Sequence, residues 1–172
     1  MKEIELTQGF KAIVDDDDYE WLSEKKWYSS NKGNGLFYAA FGGESINKWR
    51  QSATLMHRHI LQKHFGWTYL DGFHVDHING NTLDNRKSNI RRCTRSQNKY
   101  NVGKKKVNTS GFKGVFLNKK TNKWFVAIRV NGVTKRIGTF VCKIKAARAY
   151  DSAAILYHGE FASLNFGGEL SH

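Results

Sequence analysis

Short stretches in which apolar and polar residues alternate run through the first part of the chain, and this pattern predicts β-strands. Residues 4–6 and 10–14 alternate around Gln8-Gly9, which predicts a β-hairpin. Two further strands are predicted near residues 27–28 and 36–39. The four aspartates at 15–18 are predicted to cap a short helix over residues 19–22, because acidic side chains favour helix N-termini. A metal site is the alternative, but four consecutive carboxylates converge on one ion only with an unusual backbone.

The C-terminal part has a second, clearer pattern. Strands are predicted over residues 112–116, 124–130 and 134–140, and Asn131-Gly132 is a strong hairpin signal between the last two. A helix is predicted from apolar residues at helical spacing, and Gly159 lies where that helix should end; these residues are Ile144, Ala147, Tyr150, Ala154 and Tyr157. The pattern therefore predicts a three-stranded antiparallel sheet packed on one helix.

Charge is distributed unevenly along the chain, whose net charge is +13. Residues 1–55 contain 7 Lys and Arg and 9 Asp and Glu, whereas 19 basic and no acidic residues lie between Asp84 and Asp151. Such a run repels itself unless a polyanion binds it. Because aromatic residues are interleaved with this charge, nucleic-acid binding is favoured over a merely basic, soluble surface.

Composition excludes several other classes of protein. Apolar residues make up 40% of the chain and there are five Trp, which indicates a folded protein rather than a disordered one. The two cysteines, Cys93 and Cys142, are far apart, so neither a disulfide framework nor a cysteine-based zinc site is expected. We also expect no membrane span and no signal peptide, and a reducing cytoplasm is the expected compartment.

A group of chemically versatile residues lies between residues 73 and 98. A strand containing Asp76 and His77 leads into a polar loop, residues 90–93 return as its partner strand, and Thr94 or Ser96 is predicted to cap a helix that begins near Asn98. His77 is suited to act as a general base, and the side-chain oxygens of Asp76 and Asn98 are suited to Mg²⁺ or Mn²⁺. Adjacent strand residues point to opposite faces, so a bulge or the strand end must redirect one of the two.

Alternatives remain for the histidines of this region. Asp76 and His77 taken alone could be a structural pair that satisfies a turn. A histidine on a helix face, such as His57, is more often simply solvated. His74 lies two residues before Asp76 on the same strand face, and a supporting role for it is as plausible as none.

The same residues resemble the HNH nucleases found among phage and intron homing endonucleases. The resemblance covers roughly residues 55–100, over Met56-His57-Arg58, Val75 to Asn81, Asp84-Asn85-Arg86, Asn89-Ile90-Arg91 and Ser96-Gln97-Asn98. It implies that His77 activates water, that Asp76 and Asn98 bind metal, and that Asn89 braces the loop. Asn98 replaces the histidine that is frequent at that position, which favours an oxygen-preferring metal. Arg58, Arg92 and Arg95 are candidates for phosphate contacts.

Residues 109–166 resemble the plant apetala-two/ethylene-response-factor DNA-binding domain. The resemblance extends over Gly111 to Val115, Lys123-Trp124, Ala127 to Arg129, Gly138 to Phe140, Ala149-Tyr150-Asp151 and Leu164-Asn165-Phe166. It implies that the sheet enters the major groove, with Lys113, Trp124, Arg129 and Arg136 as DNA-binding candidates and Lys119 and Lys123 on the phosphates. Trp124 could equally belong to the core. Phe116 and Asn118 replace arginines of the plant proteins, so the base preference does not transfer.

Together these patterns predict an α+β protein with four parts: a β-rich segment at 1–55, a ββα-metal HNH unit at 56–100, a basic linker at 101–108 and the DNA-binding domain at 109–166. The linker contains Lys104, Lys105 and Lys106, which suit a phosphate backbone. The predicted function is that of a homing-type, Mg²⁺- or Mn²⁺-dependent endonuclease in a phage-infected bacterium. It would act on double-stranded DNA and nick it as a monomer. The alternatives are a non-catalytic regulator with a decayed HNH unit and, less favoured, an RNA-binding protein.

Overall fold

A computed structural model describes residues 1–33, 35–42, 53–66, 72–103 and 108–167. The chain is mixed α/β and contains several small antiparallel sheets. It divides into two compact units, Met1–Cys93 and Thr94–His172. In the described part of the chain, no helix has the length and apolar character needed to cross a membrane. The three linker lysines at 104–106 lie outside the described residues.

The first unit begins with the predicted hairpin. Strand β1 (Lys2–Glu5) pairs antiparallel with β2 (Lys11–Val14) around a 3₁₀ turn. Helix α1 (Asp16–Ser23) follows, and it begins three residues earlier than predicted because Asp16, Asp17 and Asp18 form its first turn. Acidic side chains are favourable there, where the helix dipole is positive.

The rest of the first unit is a second sheet, a helix and a strand pair. Strands β3 (Tyr28–Asn31), β4 (Phe37–Phe41) and β5 (Thr54–Leu55) form an antiparallel sheet, and helix α2 (Met56–Phe65) follows directly. Strands β6 (His74–His77) and β7 (Ile90–Cys93) form a separate two-stranded sheet. Gly66, at φ 65°, ends α2 in the left-handed conformation that glycine adopts most easily.

One hydrophobic core joins these elements. Side chains from the hairpin, α1, α2 and β7 are all buried in it, including Val14, Leu22, Met56, Ile60 and Ile90. The N-terminal segment and the strand pair β6–β7 therefore fold as parts of the same structure.

The second unit begins with helix α3 (Arg95–Asn101). The helix starts at Arg95 and not near Asn98, because the Thr94 side chain accepts a hydrogen bond from the Gln97 backbone and Gln97 returns one to the Thr94 backbone. This reciprocal capping box fixes the first turn. The side chain of Tyr100 then anchors the helix, since its hydroxyl bonds to the backbone and side chain of Asn131 and its ring stacks on His158.

The predicted sheet and helix complete this unit. Strands β8 (Val115–Asn118), β9 (Lys123–Val130) and β10 (Val133–Phe140) form an antiparallel sheet in the order β10-β9-β8. Asn131 and Gly132 both have positive φ, as the hairpin signal requires. Helix α4 (Lys143–His158) ends at Gly159 as predicted.

The core of the second unit lies between this sheet and α4. Val115, Val126 and Ile128 pack against Ala146, Ala147, Tyr150 and Ala154. Ile144 and Tyr157 are exposed, so the buried face of the helix is narrower than its apolar spacing suggested.

Candidate active site

Asp76 and His77 occupy the end of strand β6. They are 4% and 5% exposed, which is unusual for an aspartate and a histidine. The register of β6 against β7 is regular, with Asp76 opposite Arg91 and His77 opposite Ile90. The strand pair contains no bulge, and His77 is the last residue of β6.

The Asp76 carboxylate is bound by Arg91. Both Nε and Nη2 of the guanidinium donate to Oδ2, at 2.9 and 2.7 Å. Such a two-point, charge-assisted contact offsets the cost of burying the two groups. A carboxylate held in this way is a suitable ligand for a hard cation.

His77 lies in a group of aromatic rings. Its ring centroid is 5.1 Å from that of His57 on α2 and 6.0 Å from that of Tyr38 on β4. Burial lowers the pKa of His77, and the facing amide of Asn85 and the carboxylates of Asp76 and Asp84 oppose this effect only in part. The imidazole is therefore neutral near pH 7, as a proton acceptor must be.

The prediction that His57 is solvated is wrong. It is 4% exposed, and its ring packs edge-on against the rings of His77 and Tyr38. Burial, followed by electrostatic interactions with His77 and Arg58, holds the pKa of His57 well below its usual value. His57 is thus a neutral packing partner of His77.

The loop between β6 and β7 is held by a network of polar side chains. Asn89 accepts a hydrogen bond from the Asn79 backbone at 3.0 Å and donates one to the Asp84 carbonyl at 2.7 Å. The Asp84 carboxylate receives two bonds from Arg86 and one from the Asn79 side chain. Because of these contacts, chiefly that of Arg86, the pKa of Asp84 is lowered.

The N-terminal segment supports this loop from outside. The Ile13 backbone donates to Leu83 and accepts from Asn85, which forms a bridge between β2 and the loop. Asp15 accepts from the Lys87 backbone at 2.7 Å, and the Phe37 carbonyl accepts from Thr82 at 2.5 Å. Ile13, Asp15 and Phe37 therefore support the loop that joins β6 and β7.

The aspartate run forms an ion-pair network. Asp17, Asp18 and His64 place potential metal-ligating atoms within 4.8 Å of one another. However, the ammonium of Lys87 contacts both carboxylates, and Trp21 donates its indole N–H to Asp18. These partners and the position of the run in the first turn of α1 support a structural role.

The remaining candidate site residues, three arginines and Asn98, lie at different places in the fold. The Arg58 guanidinium donates to the Phe73 carbonyl at 3.2 Å, and that of Arg92 lies over the Phe73 ring. Arg95 is the exposed first residue of α3, and Asn98 is a half-buried residue of the same helix, within the second unit. The structure thus brings together Asp76, His77 and Asn89 within the first unit.

The DNA-binding candidates of the second unit lie in two kinds of position. Lys119, Lys123, Arg129 and Arg136 are exposed. Trp124 was a candidate either for DNA contact or for the hydrophobic core. Its half-buried ring packs against the core between the sheet and α4. The Lys113 ammonium donates to the Tyr100 carbonyl at 2.6 Å, and burial lowers the pKa of Lys113 to about 8.

Arg91 and Asn85 were missed in the sequence. Arg91 could have been found, because pairing the two predicted strands in register places it opposite Asp76. Asn85 gave no such signal, because its approach to His77 depends on how the loop folds.

A neutral, buried histidine lies beside an aspartate that is bound by arginine, at the end of a strand pair with a braced polar loop, and such an arrangement is suited to hydrolysis. Residues 54–100 match the profile of an HNH endonuclease family. The chain is 30% identical over 158 residues to an uncharacterized HNH endonuclease, L560, of Acanthamoeba polyphaga mimivirus. The matched region covers 92% of this chain and 76% of the mimivirus protein. On this similarity, the protein belongs to the HNH endonuclease family.

A second viral relative matches a shorter part of the chain. Protein 3.8 of Escherichia phage T7 is 34% identical over 61 residues, which are 36% of this chain and 50% of that protein. No solved structure matches the chain.

Proposed function

We propose that this protein is a divalent-metal-dependent DNA endonuclease of the homing type. In this proposal residues 56–100 form the ββα-metal nuclease unit, 101–108 are a linker along the phosphate backbone, and 109–166 form an apetala-two/ethylene-response-factor-like domain that finds the target. The nuclease class follows from family membership. The metal, the site-directed action and the cut pattern are inferred from the residues.

The observation that carries the proposal is the state of His77. It is buried, its pKa is lowered, and it lies beside Asp76, which is bound by Arg91. A neutral imidazole there takes a proton from water as the water oxygen attacks phosphorus. The bond from phosphorus to the 3′ oxygen breaks, which leaves a 5′-phosphate and a 3′-hydroxyl once that oxygen gains a proton.

A set of oxygen ligands suits a hard divalent ion such as Mg²⁺ or Mn²⁺ better than it suits zinc. The carboxylate of Asp76 and the amide oxygen of Asn98 are the proposed ligands, and neither is a thiolate or an imidazole. Bound to them, Mg²⁺ or Mn²⁺ would offset negative charge on the phosphate and the leaving oxygen. Asn89 holds the loop that precedes β7, and Arg58, Arg92 and Arg95 are proposed to contact the phosphates of the substrate.

Binding to the target is proposed for the second unit and the linker. Four exposed cations of the sheet and its turns supply charge for phosphates and base edges: Lys119, Lys123, Arg129 and Arg136. Lys104, Lys105 and Lys106 extend this charge into the linker. Trp124 and Lys113 are mainly structural in this proposal, because their contacts lie within the protein. One HNH centre cuts one strand at a time, so a monomer is expected to nick.

The test is cleavage of a supercoiled plasmid that contains the DNA flanking this gene. The full chain is incubated with Mg²⁺, with Mn²⁺ and with EDTA, beside His77→Ala and the matched control His74→Ala, three residues earlier on the same strand. We expect open circles that require the metal, persist in His74→Ala and fall by at least about 100-fold in His77→Ala.

Other outcomes separate the alternatives. Linear product would indicate paired cuts, and therefore action by two centres. Metal-independent cleavage would contradict the metal assignment. Tight, specific binding with no cutting in either metal would favour a regulator with a decayed nuclease unit.

A further inference from the structure

The face of the C-terminal sheet that points away from α4 combines cations with exposed aromatic rings. Along β9 the side chains alternate, so that Val126 and Ile128 are buried against α4 while Phe125, Ala127 and Arg129 lie on the opposite face. The strand register adds Phe116 from β8 and Arg136 from β10 to this outer face.

Two phenylalanines form the centre of the outer face. Phe116 and Phe125 face each other across β8 and β9, with ring centroids 5.0 Å apart and an angle of 21° between the rings. Phe116 is 46% exposed. A stacked aromatic pair left in contact with water on a sheet surface indicates a binding function more than a folding one, since the core of this unit lies on the other side.

The charges around Phe116 and Phe125 indicate that the partner of this face is a polyanion. The three strands contain no Asp or Glu, and Lys123, Arg129 and Arg136 flank the rings. Lys123 and Arg129 are six residues apart on β9, which is about 20 Å along a strand. That length exceeds the width of the major groove, about 12 Å, so the two cations can reach phosphates on both sides while Phe125 and Ala127 face the base edges.

We propose that Phe116 and Phe125 recognise the 5-methyl groups of thymines in the major groove. Thymine methyls are the apolar groups that this groove displays, and phenylalanine is one of the side chains suited to contact them. The target would then contain thymines at the centre of the segment that the sheet contacts. This inference rests on the proposed DNA-binding function of the second unit.

The experiment replaces the methyl group alone. The full chain, kept in EDTA to prevent cleavage, is used to select a consensus from a random duplex pool at fixed salt. Each thymine of the selected duplex is then changed to deoxyuridine, which lacks only the 5-methyl group. At one or two positions we expect binding to weaken about fourfold, the loss for one buried methyl-sized group.

Variants assign this effect to the two rings. In Phe125→Ala and Phe116→Ala, thymine and deoxyuridine duplexes should bind equally at the affected positions, while Val133→Ala, an exposed apolar truncation at the hairpin end, keeps the difference. Lys123→Gln should weaken both duplexes alike and lower the salt dependence.

The contrary results are distinct. A consensus that shows no methyl dependence at any thymine overturns this inference and leaves sequence-specific binding intact. Tighter binding to the single strand than to the duplex also overturns it, because the rings would then stack on unpaired bases. A pool that yields no consensus overturns the proposed site-directed function and this inference with it.

Discussion

Arg91 and Asp76 face each other across β6 and β7, and both donor atoms of the guanidinium edge bind one carboxylate oxygen. The pair is largely buried, so removing one partner leaves a charge that water cannot solvate. Arg91 thereby supplies the positive charge that faces the Asp76 carboxylate in the folded protein.

Arg91→Met is therefore expected to lower the free energy of unfolding by about 3–5 kcal/mol, because Asp76 loses its compensating charge. If Asp76 binds metal, Mg²⁺ should raise the melting temperature of this variant more than that of the wild type, since the ion supplies the missing charge. Urea denaturation and thermal melts, each with and without Mg²⁺, measure both effects. Arg95→Met, at an exposed position, is the matched control.

The double variant Asp76→Asn/Arg91→Met checks the cause. It should regain part of the stability lost in Arg91→Met and should no longer respond to Mg²⁺. Equal stability of the single and double variants would mean that Arg91 acts through packing and not through charge.

Asn89 is the second position with a definite expected outcome. Its amide bonds to the backbone of Asn79 and Asp84 and is buried, so Asn89→Ala removes the side-chain partner of the buried Asp84 carbonyl and of the partly buried Asn79 N–H. We expect a loss of about 1–3 kcal/mol in unfolding free energy, together with slower cleavage, because the loop preceding β7 loosens. Ser88→Ala, an exposed neighbour in the same loop, should change neither quantity.

Gly114 is required for close packing in the second unit. Its φ is +71°, and an added Cβ would collide with the Tyr150 ring and lie 2.8 Å from the Ala127 carbonyl oxygen. Gly132 has a similar φ of +85° but open space around it. Gly114→Ala should cost about 2–4 kcal/mol and Gly132→Ala about 1 kcal/mol, as measured by chemical denaturation. Similar losses at both glycines would show that backbone conformation alone, and not the Tyr150 contact, requires Gly114.

The elements that could be predicted from sequence are those fixed by local chemistry. Asn131-Gly132 adopts positive φ because few other residue pairs do so easily, and the strands on either side follow. Asp76 and His77 could likewise be singled out, because their spacing to Asn89 and Asn98 is visible in the chain.

The contacts that were missed join residues distant in sequence. Asp15 binds the Lys87 backbone 72 positions away, and Thr82 binds the Phe37 carbonyl 45 positions away. Neither bond has a local pattern, so the supporting role of residues 1–55 emerges only in the folded chain. His57 was expected to be solvated for the same reason, because its burial depends on β4 and β6 and not on α2 alone.

Lys113 makes stability depend on pH. Its pKa falls from 10.5 to about 8 because burial disfavours the charged ammonium, although Asp151 opposes this effect. Between these two values the unfolded chain retains a proton that the folded chain has released. Stability therefore rises with pH through this window, and the full cost of burying the charge applies below about pH 8.

The test compares the wild type with Lys113→Met, in which the side chain at position 113 does not titrate. From pH 7 to pH 10 the unfolding free energy of the wild type should rise relative to the variant by about 1–3 kcal/mol. The other lysines titrate in both proteins and cancel, and Tyr150, whose pKa burial raises to about 12, stays protonated across the window. Parallel curves would contradict the prediction and would mean that the ammonium remains charged beside the Tyr100 carbonyl.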